Sequence, residues 1–267
     1  MIDYHIHTKL CMHAVGEPEE YCQYAVKNGI SEIGFSDHFP MNYQPAFSDD
    51  ISSIAMREED IPIYFQMIDL NYKELTIKKA FEVDYFPKEN LFFEKYLYLY
   101  DKLDYIIGSV HFIDELSIDQ IDYKINIVNF GIEKLWISYF EMIKEMINNK
   151  RKYIDVIAHV DLPKRVVGDP PKKVSDKLQD MLKVIKSNEL VVEVNTSGWD
   201  RQAKDLYPSA SILKKIHDMG IEITLGSDAH HPSEVGRHFS KARSLLENIG
   251  FKRYITFNSH KKEYRDL

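Results

Sequence analysis

The sequence predicts an α/β fold, with an (α/β) barrel favoured over a doubly wound open sheet. Three observations lead there. Seven or eight short β-rich runs alternate with longer helical patterns along 267 residues, an order that builds a mostly parallel sheet covered by helices. Several runs are continuously apolar rather than alternating, as in Tyr105-Ile106-Ile107-Gly108-Ser109-Val110 and Leu190-Val191-Val192-Glu193-Val194, the habit of strands buried on both faces. No internal repeat and no Pro/Gly/Ser-rich linker divides the chain, so residues 1–267 are expected to form one domain.

The elements follow in order. A strand over 2–7 leads to a helix over 17–28, which has Pro18 and three acids at its start and Asn28-Gly29 at its end. A strand over 32–36, a polar excursion over 41–57 and a helix over 58–71 precede the strand 75–83. A helix over 89–103, the strand 105–110 and a second polar excursion over 114–129 come next. Both excursions read as loops around a site rather than boundaries. Helices over 132–149, 175–187, 209–219 and 233–248 show helical apolar spacing, and Gly220 and Gly250 close the last two. Strands over 154–158, 190–195 and 221–226 lie between them, and 254–258 is an eighth candidate.

Charge and composition narrow the function classes. With 34 Lys and Arg against 42 Asp and Glu, the formal charge is −8 and no long basic run occurs. A broad nucleic-acid surface is excluded, because phosphate backbones demand clustered cations. A small anionic substrate stays open if bound divalent metals supply positive charge. No apolar stretch is long enough to span a bilayer, and Asp3, His5 and His7 interrupt any signal-peptide core. Cys11 and Cys22 are most simply reduced thiols, with an 11–22 disulfide as the alternative. A soluble, cytoplasmic protein is expected.

Chemistry-bearing residues recur at one end of the strands. His5 and His7 end the first, Asp37 and His38 follow the second, and Glu82 and Asp84 end the third. His111 ends the fourth, His159 the fifth, Asn195-Thr196-Ser197 the sixth, and Asp228 and His230 the seventh. In a barrel those ends share one mouth. A lone histidine on an apolar run is usually a packed or rim residue. Independent structural histidines, however, have no reason to select the same end of six strands. Imidazoles and carboxylates without thiolates suit Zn, Mn or Fe rather than a Cys-rich structural zinc site. His217 reads as part of a solvated helix face and His231 as a rim residue, while His238 and His260 carry no pattern. Cys11 is either a ligand or, preferably, a small packed thiol.

These residues resemble the PHP (polymerase and histidinol phosphatase) family of metal-dependent phosphoesterases. The carriers are His5-x-His7, His13, Ser36-Asp37-His38, Glu82, His111, His159 and Ser227-Asp228-Ala229-His230. Cys11-x-His13-Ala14-x-Gly16, Asp37-His38-x-Pro40, Gly108-Ser109-Val110-His111, His159-x-Asp161-Leu162-Pro163-Lys164 and Asn195-Thr196-Ser197-Gly198 are similar to its histidinol-phosphate phosphatase branch. The resemblance spans about Met1 to Asn258. It implies a distorted (β/α)₇ barrel, TIM-like, with up to three divalent metals (Zn, Mn and/or Fe). His5, His7, Glu82 and Asp228 would hold the first. Glu82 would bridge to a second, also held by His111 and His159, and His13, His38 and His230 would hold a third.

Such a cluster suits phosphomonoester hydrolysis by a metal-bridging hydroxide. The implied reaction is hydrolysis of L-histidinol phosphate to L-histidinol and phosphate, a step of histidine biosynthesis. Another phosphoesterase, acting on nucleotides or phosphotyrosine, and a non-catalytic metal-binding regulatory domain are the alternatives. Asp161 is the candidate acid for the leaving group, or else a residue that orients a ligand. Lys164, Arg165 and Arg201 are candidate phosphate contacts, and Ser197 either donates to substrate or caps a helix. Asp37 is expected to support a ligand, and Asp84 to be structural. The expected partner is the small phosphorylated substrate, without nucleic acid or membrane; the oligomeric state is not legible.

Overall fold

The protein is described here by a computed structural model covering residues 1–41, 54–87, 95–114 and 116–267. Seven parallel strands form the centre: β1 (Ile2–Ile6), β2 (Glu32–Phe35), β3 (Thr76–Asp84), β4 (Tyr105–Ser109), and, after two short strands described below, β7 (Val156–Ile157), β8 (Val191–Asn195) and β9 (Glu222–Gly226). They are hydrogen-bonded in that order, each parallel to the next. A parallel bridge between Ile6 and Ala229 brings the last edge back to the first, with His7 N–H donating to Ala229 O at 2.9 Å and Ala229 N–H to His5 O at 3.2 Å. The result is the nearly closed, distorted barrel the sequence predicts. Most of its strands are buried end to end, which accounts for their unbroken apolar runs.

Helices α1 (Pro18–Lys27), α2 (Ile61–Met67), α3 (Leu97–Tyr100), α4 (Lys124–Phe130), α5 (Ile132–Lys150), α6 (Lys164–Val167), α7 (Ser175–Ser187), α8 (Ala210–Asp218) and α9 (Phe239–Ile249) occur among the described residues. On α5, Leu135, Trp136, Tyr139, Phe140, Ile143, Met146 and Ile147 are all buried, the spacing of one helix face. Each such large side chain contributes about 1.5–3 kcal/mol on burial. Tyr139 also donates its hydroxyl to His159 O at 2.8 Å, tying the helix to the end of β7.

Several expected boundaries differ. Residues 42–53 of the expected excursion 41–57, and 89–94 of the expected helix 89–103, lie outside the described residues. The excursion 114–129 is not plain loop: β5 (Phe112–Ile113) pairs with β6 (Leu116–Ser117), and α4 follows. The helix expected over 233–248 begins only at Phe239, because Gly236 (φ 68°) and His238 (φ 60°) take left-handed conformations that break it. The eighth candidate strand is real but outside the barrel. As β10 (Arg253–Asn258) it pairs antiparallel with β11 (Lys261–Asp266), and this hairpin covers the barrel floor. There Tyr4 stacks on Tyr105 with ring centroids 4.5 Å apart, and Phe257 N–H donates to the Tyr4 hydroxyl at 3.0 Å. No helix among the described residues is long and apolar enough to cross a membrane.

Candidate metal centre

The C-terminal strand ends meet, as the spacing predicts, around Glu82 at the end of β3. Its carboxylate is 1% exposed and its two oxygens face different ways. Oε2 lies 3.1 Å from His5 Nε2, 3.6 Å from His7 Nε2 and 3.1 Å from His38 Nδ1. Oε1 lies 3.2 Å from His159 Nε2 and 3.7 Å from His111 Nε2. Asp228 completes the first side, with Oδ1 3.4 Å from His7 Nε2 and 4.0 Å from His5 Nε2. A third group lies beside them, where His13 Nε2 and His230 Nε2 stand 2.8 Å apart. His38 falls between groups, its donor within 4.8 Å of those of His7 and His230, and the Cys11 sulfur is as close to His13 and His230. Cys11 and Cys22 are both buried free thiols.

The far nitrogen of several rings is held by an acceptor. His5 Nδ1 meets Glu193 Oε1 at 2.5 Å, and His111 Nδ1 meets Asp84 Oδ1 at 2.9 Å. His13 Nδ1 donates to Cys11 O at 2.8 Å and His230 Nδ1 to Asp228 O at 3.1 Å. An acceptor on Nδ1 places the proton there and aims the Nε2 lone pair inward. On His13 and His230 those lone pairs then face each other at 2.8 Å. Both rings are driven toward the neutral form, first by burial and then by the charge on His7, so the contact calls for a cation near both nitrogens. His7 Nε2 and His38 Nδ1, which face the Glu82 carboxylate, are also buried and make no hydrogen bond to it. Orphaned inward donors of this kind fit divalent metal ions.

Titration follows the same logic. Burial opposes charge on His5, but Glu193, Glu82 and Asp228 outweigh it and lift its pKa well above the ordinary value. Against burial, Asp84 and Glu82 lift His111 to about 10. Burial disfavours charge on Glu82 too, yet His38, His5 and His111 hold it well below the usual carboxylate range. Protons on His5 and His111 thus occupy the lone pairs that a metal would use.

Backbone conformation at two ligand candidates is unusual. Asp228 has φ 52° and His159 φ 21°, each costing about 1–3 kcal/mol that the surroundings must offset. Asp3, inside β1, accepts from Ser227 N–H and from Gly236 N–H, both at 2.8 Å. Its burial raises its pKa to about 6.

A cavity of about 660 Å³ opens over the cluster, within the usual range for small-molecule sites. Arg165 and Arg201 line it, as do Phe112 of β5 and Asp119, Asp122 and Glu234, and His231 stands at its rim. Arg165 pairs with Asp119 at 3.0 Å. Asp161, Lys164 and Ser197 are not among the lining residues. Asp161 accepts from Ser209 N–H at 2.8 Å and pairs with Lys164 Nζ at 2.9 Å, both side chains almost fully buried. Lys164 also donates to Leu206 O. Ser197 donates its hydroxyl to Asp228 Oδ2 at 3.2 Å. Asp37, expected to support a ligand, lies 3.5 Å from His7 Nδ1 and accepts from the Thr8 hydroxyl. Asp84, expected to be structural, is the residue that orients His111.

Glu193 is the main residue that the sequence pattern did not single out. It is 1% exposed and accepts from His159 N–H at 3.2 Å as well as from His5. A carboxylate inside an otherwise apolar buried strand was its signal, since buried charge needs partners.

Comparison with known proteins agrees with this geometry. The PHP domain family matches residues 3–197, and the chain belongs to that family. A relative from Deinococcus radiodurans, named "Probable histidinol-phosphatase", is 32% identical over 98% of both chains. The "Histidinol-phosphatase" of Bacillus subtilis is 28% identical, over 88% of this chain and 95% of its own. Among solved structures, histidinol phosphate phosphatase from Lactococcus lactis, complexed with zinc, L-histidinol and phosphate, shares the fold. Its TM-score is 0.76 at 22% identity, over 98% of each chain.

Proposed function

We propose that this chain hydrolyses L-histidinol phosphate to L-histidinol and phosphate with the help of divalent metals. One observation carries the metal dependence: Glu82 turns each oxygen to a different set of imidazoles, and the His5 and His111 rings in those sets are oriented by Glu193 and Asp84. The substrate follows from the family, from relatives bearing that name over nearly the whole chain, and from the cavity.

His5, His7, Glu82 and Asp228 would hold one ion, Glu82, His111 and His159 a second, and His13, His38 and His230 a third. Divalent ions, of which zinc, manganese and iron suit these donors, supply Lewis acidity toward phosphoryl oxygens and acidify water. Arg165 and Arg201 sit on the cavity wall, where guanidinium forks can take the remaining phosphoryl oxygens. Asp122 adds a carboxylate to the same wall, which suits a substrate carrying a cationic amine. Phe112 and Tyr123 offer aromatic surface to a flat ring. We assign Asp161 and Lys164 to support of the cavity from behind, through their mutual ion pair and the Leu206 and Ser209 backbone, and Ser197 to orientation of Asp228.

The test is steady-state hydrolysis of L-histidinol phosphate against a panel of nucleotides, sugar phosphates and phosphotyrosine, using protein stripped of metal and reloaded with Zn²⁺ or Mn²⁺. L-histidinol phosphate should give the highest kcat/KM by orders of magnitude. A comparable preference for a nucleotide or phosphotyrosine would overturn the substrate. Full activity in stripped protein would overturn the metal dependence.

A further inference from the structure

We propose that Arg237 is a positioning residue for the metal centre: its guanidinium grips the turn after β9 so that Asp228 and His230 present their donor atoms inward. The proposal rests on the metal-dependent reading above. Arg237 lies nine residues beyond Asp228, its side chain is 9% exposed, and it does not line the cavity.

The geometry is that of a clamp on consecutive carbonyls. Nε donates to Ser227 O and Nη2 to Asp228 O, both at 2.9 Å. A planar, rigid fork held to two successive carbonyls fixes the rotation of the peptide between them, and that rotation sets the left-handed conformation of Asp228 (φ 52°). The third arm, Nη1, pairs with Glu234 Oε1 at 2.9 Å and lies 3.7 Å from Asp200 Oδ2. Glu234 continues the clamp, its Oε2 accepting from His230 N–H at 2.8 Å and His231 N–H at 3.1 Å. Arg237 and Glu234 together therefore hold the carbonyls at the start of the turn and the amides at its end.

The grip also reaches the imidazole. Asp228 O, fixed by Arg237, is the acceptor for His230 Nδ1 at 3.1 Å, the contact that leaves His230 Nε2 facing His13. On the other side of Glu82 the supporting residues are different ones. Asp84 orients His111 and Glu193 holds the His159 backbone, and neither touches Arg237. Loss of the fork should therefore weaken the ions that use Asp228 and His230 and spare the one between His111 and His159.

The experiment uses the full chain, as wild type, Arg237→Gln and Arg237→Lys, each stripped by chelator and titrated with Zn²⁺ alone. Calorimetry gives the affinities, and elemental analysis after desalting gives the ions retained. Both variants should lose about 10–100-fold in affinity for the ions dependent on Asp228 and His230, the usual range for a partner behind the ligands. They should keep one ion at wild-type affinity. Lysine fares no better than glutamine because an ammonium cannot span two carbonyls in a fixed plane, and Arg237→Lys carries the test if Arg237→Gln does not fold. Affinities all within twofold of wild type, or an equal loss at every ion, would overturn the proposal. A wild-type chain that takes up no Zn²⁺ would instead overturn the metal reading, and the proposal with it.

Discussion

Replacing Glu193 by glutamine isolates what an orienting carboxylate contributes behind the ligands. The native carboxylate has acceptors only, and both oxygens are used: Oε1 by His5 Nδ1 at 2.5 Å, Oε2 by His159 N–H at 3.2 Å and by Asn195 Nδ2 at 3.3 Å. A glutamine of the same shape has one oxygen and one NH₂. If the oxygen stays with His159, the NH₂ faces His5 and holds its ring proton on Nε2 instead of Nδ1, which removes the lone pair that a metal ion would use. If the oxygen turns to His5, the buried His159 amide loses its acceptor, at about 1–3 kcal/mol. Partners of this kind are worth about 10–100-fold in metal affinity or activity, or roughly 1.4–2.8 kcal/mol at 1.4 kcal/mol per tenfold. Competition titration of Zn²⁺ against a chelator, with a thermal melt of the metal-free protein, measures both terms. Zn²⁺ affinity and melting temperature unchanged in Glu193→Gln would refute the reasoning, because neither amide orientation can satisfy both donors.

Three further outcomes are expected. Gly226→Ala places a Cβ 2.3 Å from Glu193 Oε1 and 2.6 Å from His5 Cβ, so it should lower Zn²⁺ affinity as Glu193→Gln does, and wild-type affinity would show that the pair can shift. Zn²⁺ binding at pH 7.5 should release protons, because His111 is lifted to about 10 and His5 is raised too; affinity then falls as pH falls. Calorimetry in buffers of different ionisation enthalpy reads the release, and none at all would contradict the assignment of those rings as ligands. His260 meets Asp155 Oδ2 at 2.8 Å through Nδ1 and Tyr100 O at 2.9 Å through Nε2, and this raises its pKa although burial opposes it. Its stabilisation is therefore full below the unfolded value of about 6.5 and is lost as pH rises through the raised folded value. His260→Gln should cost about 1–3 kcal/mol near pH 5.5 and less at pH 9 in chemical unfolding, and a pH-independent difference would contradict the charged clamp.

The barrel and the clustering of the inner ligand candidates were legible because each strand advertises both its burial and its end: an unbroken apolar run, then a histidine or acid. His5, His7, Glu82, His111, His159 and Asp228 are found together at the mouth. What stands behind them was harder to read. Asp3 and Glu193 interrupt buried strands and so carried a usable signal, that of a charge with nowhere to go but a partner. Arg237 carried none, since its carbonyl partners are backbone and one arginine on a polar turn looks like any other. The i, i+3 spacing of Asp161 and Lys164 could have suggested that they pair with each other. The strand Lys261–Asp266 is too charged and too exposed to show a buried period, and its place is set by the pairing with β10 rather than by its own pattern.

The central claim is that Glu82 joins two ions. Anomalous diffraction at the zinc edge from crystals of the reloaded protein tests it directly. The account predicts a peak on each side of the Glu82 carboxylate, one bounded by His5, His7 and Asp228 and the other by His111 and His159, about 3.5–4 Å apart as in two-metal hydrolases. Crystals with full zinc uptake and no peak within coordination distance of Glu82 would contradict it.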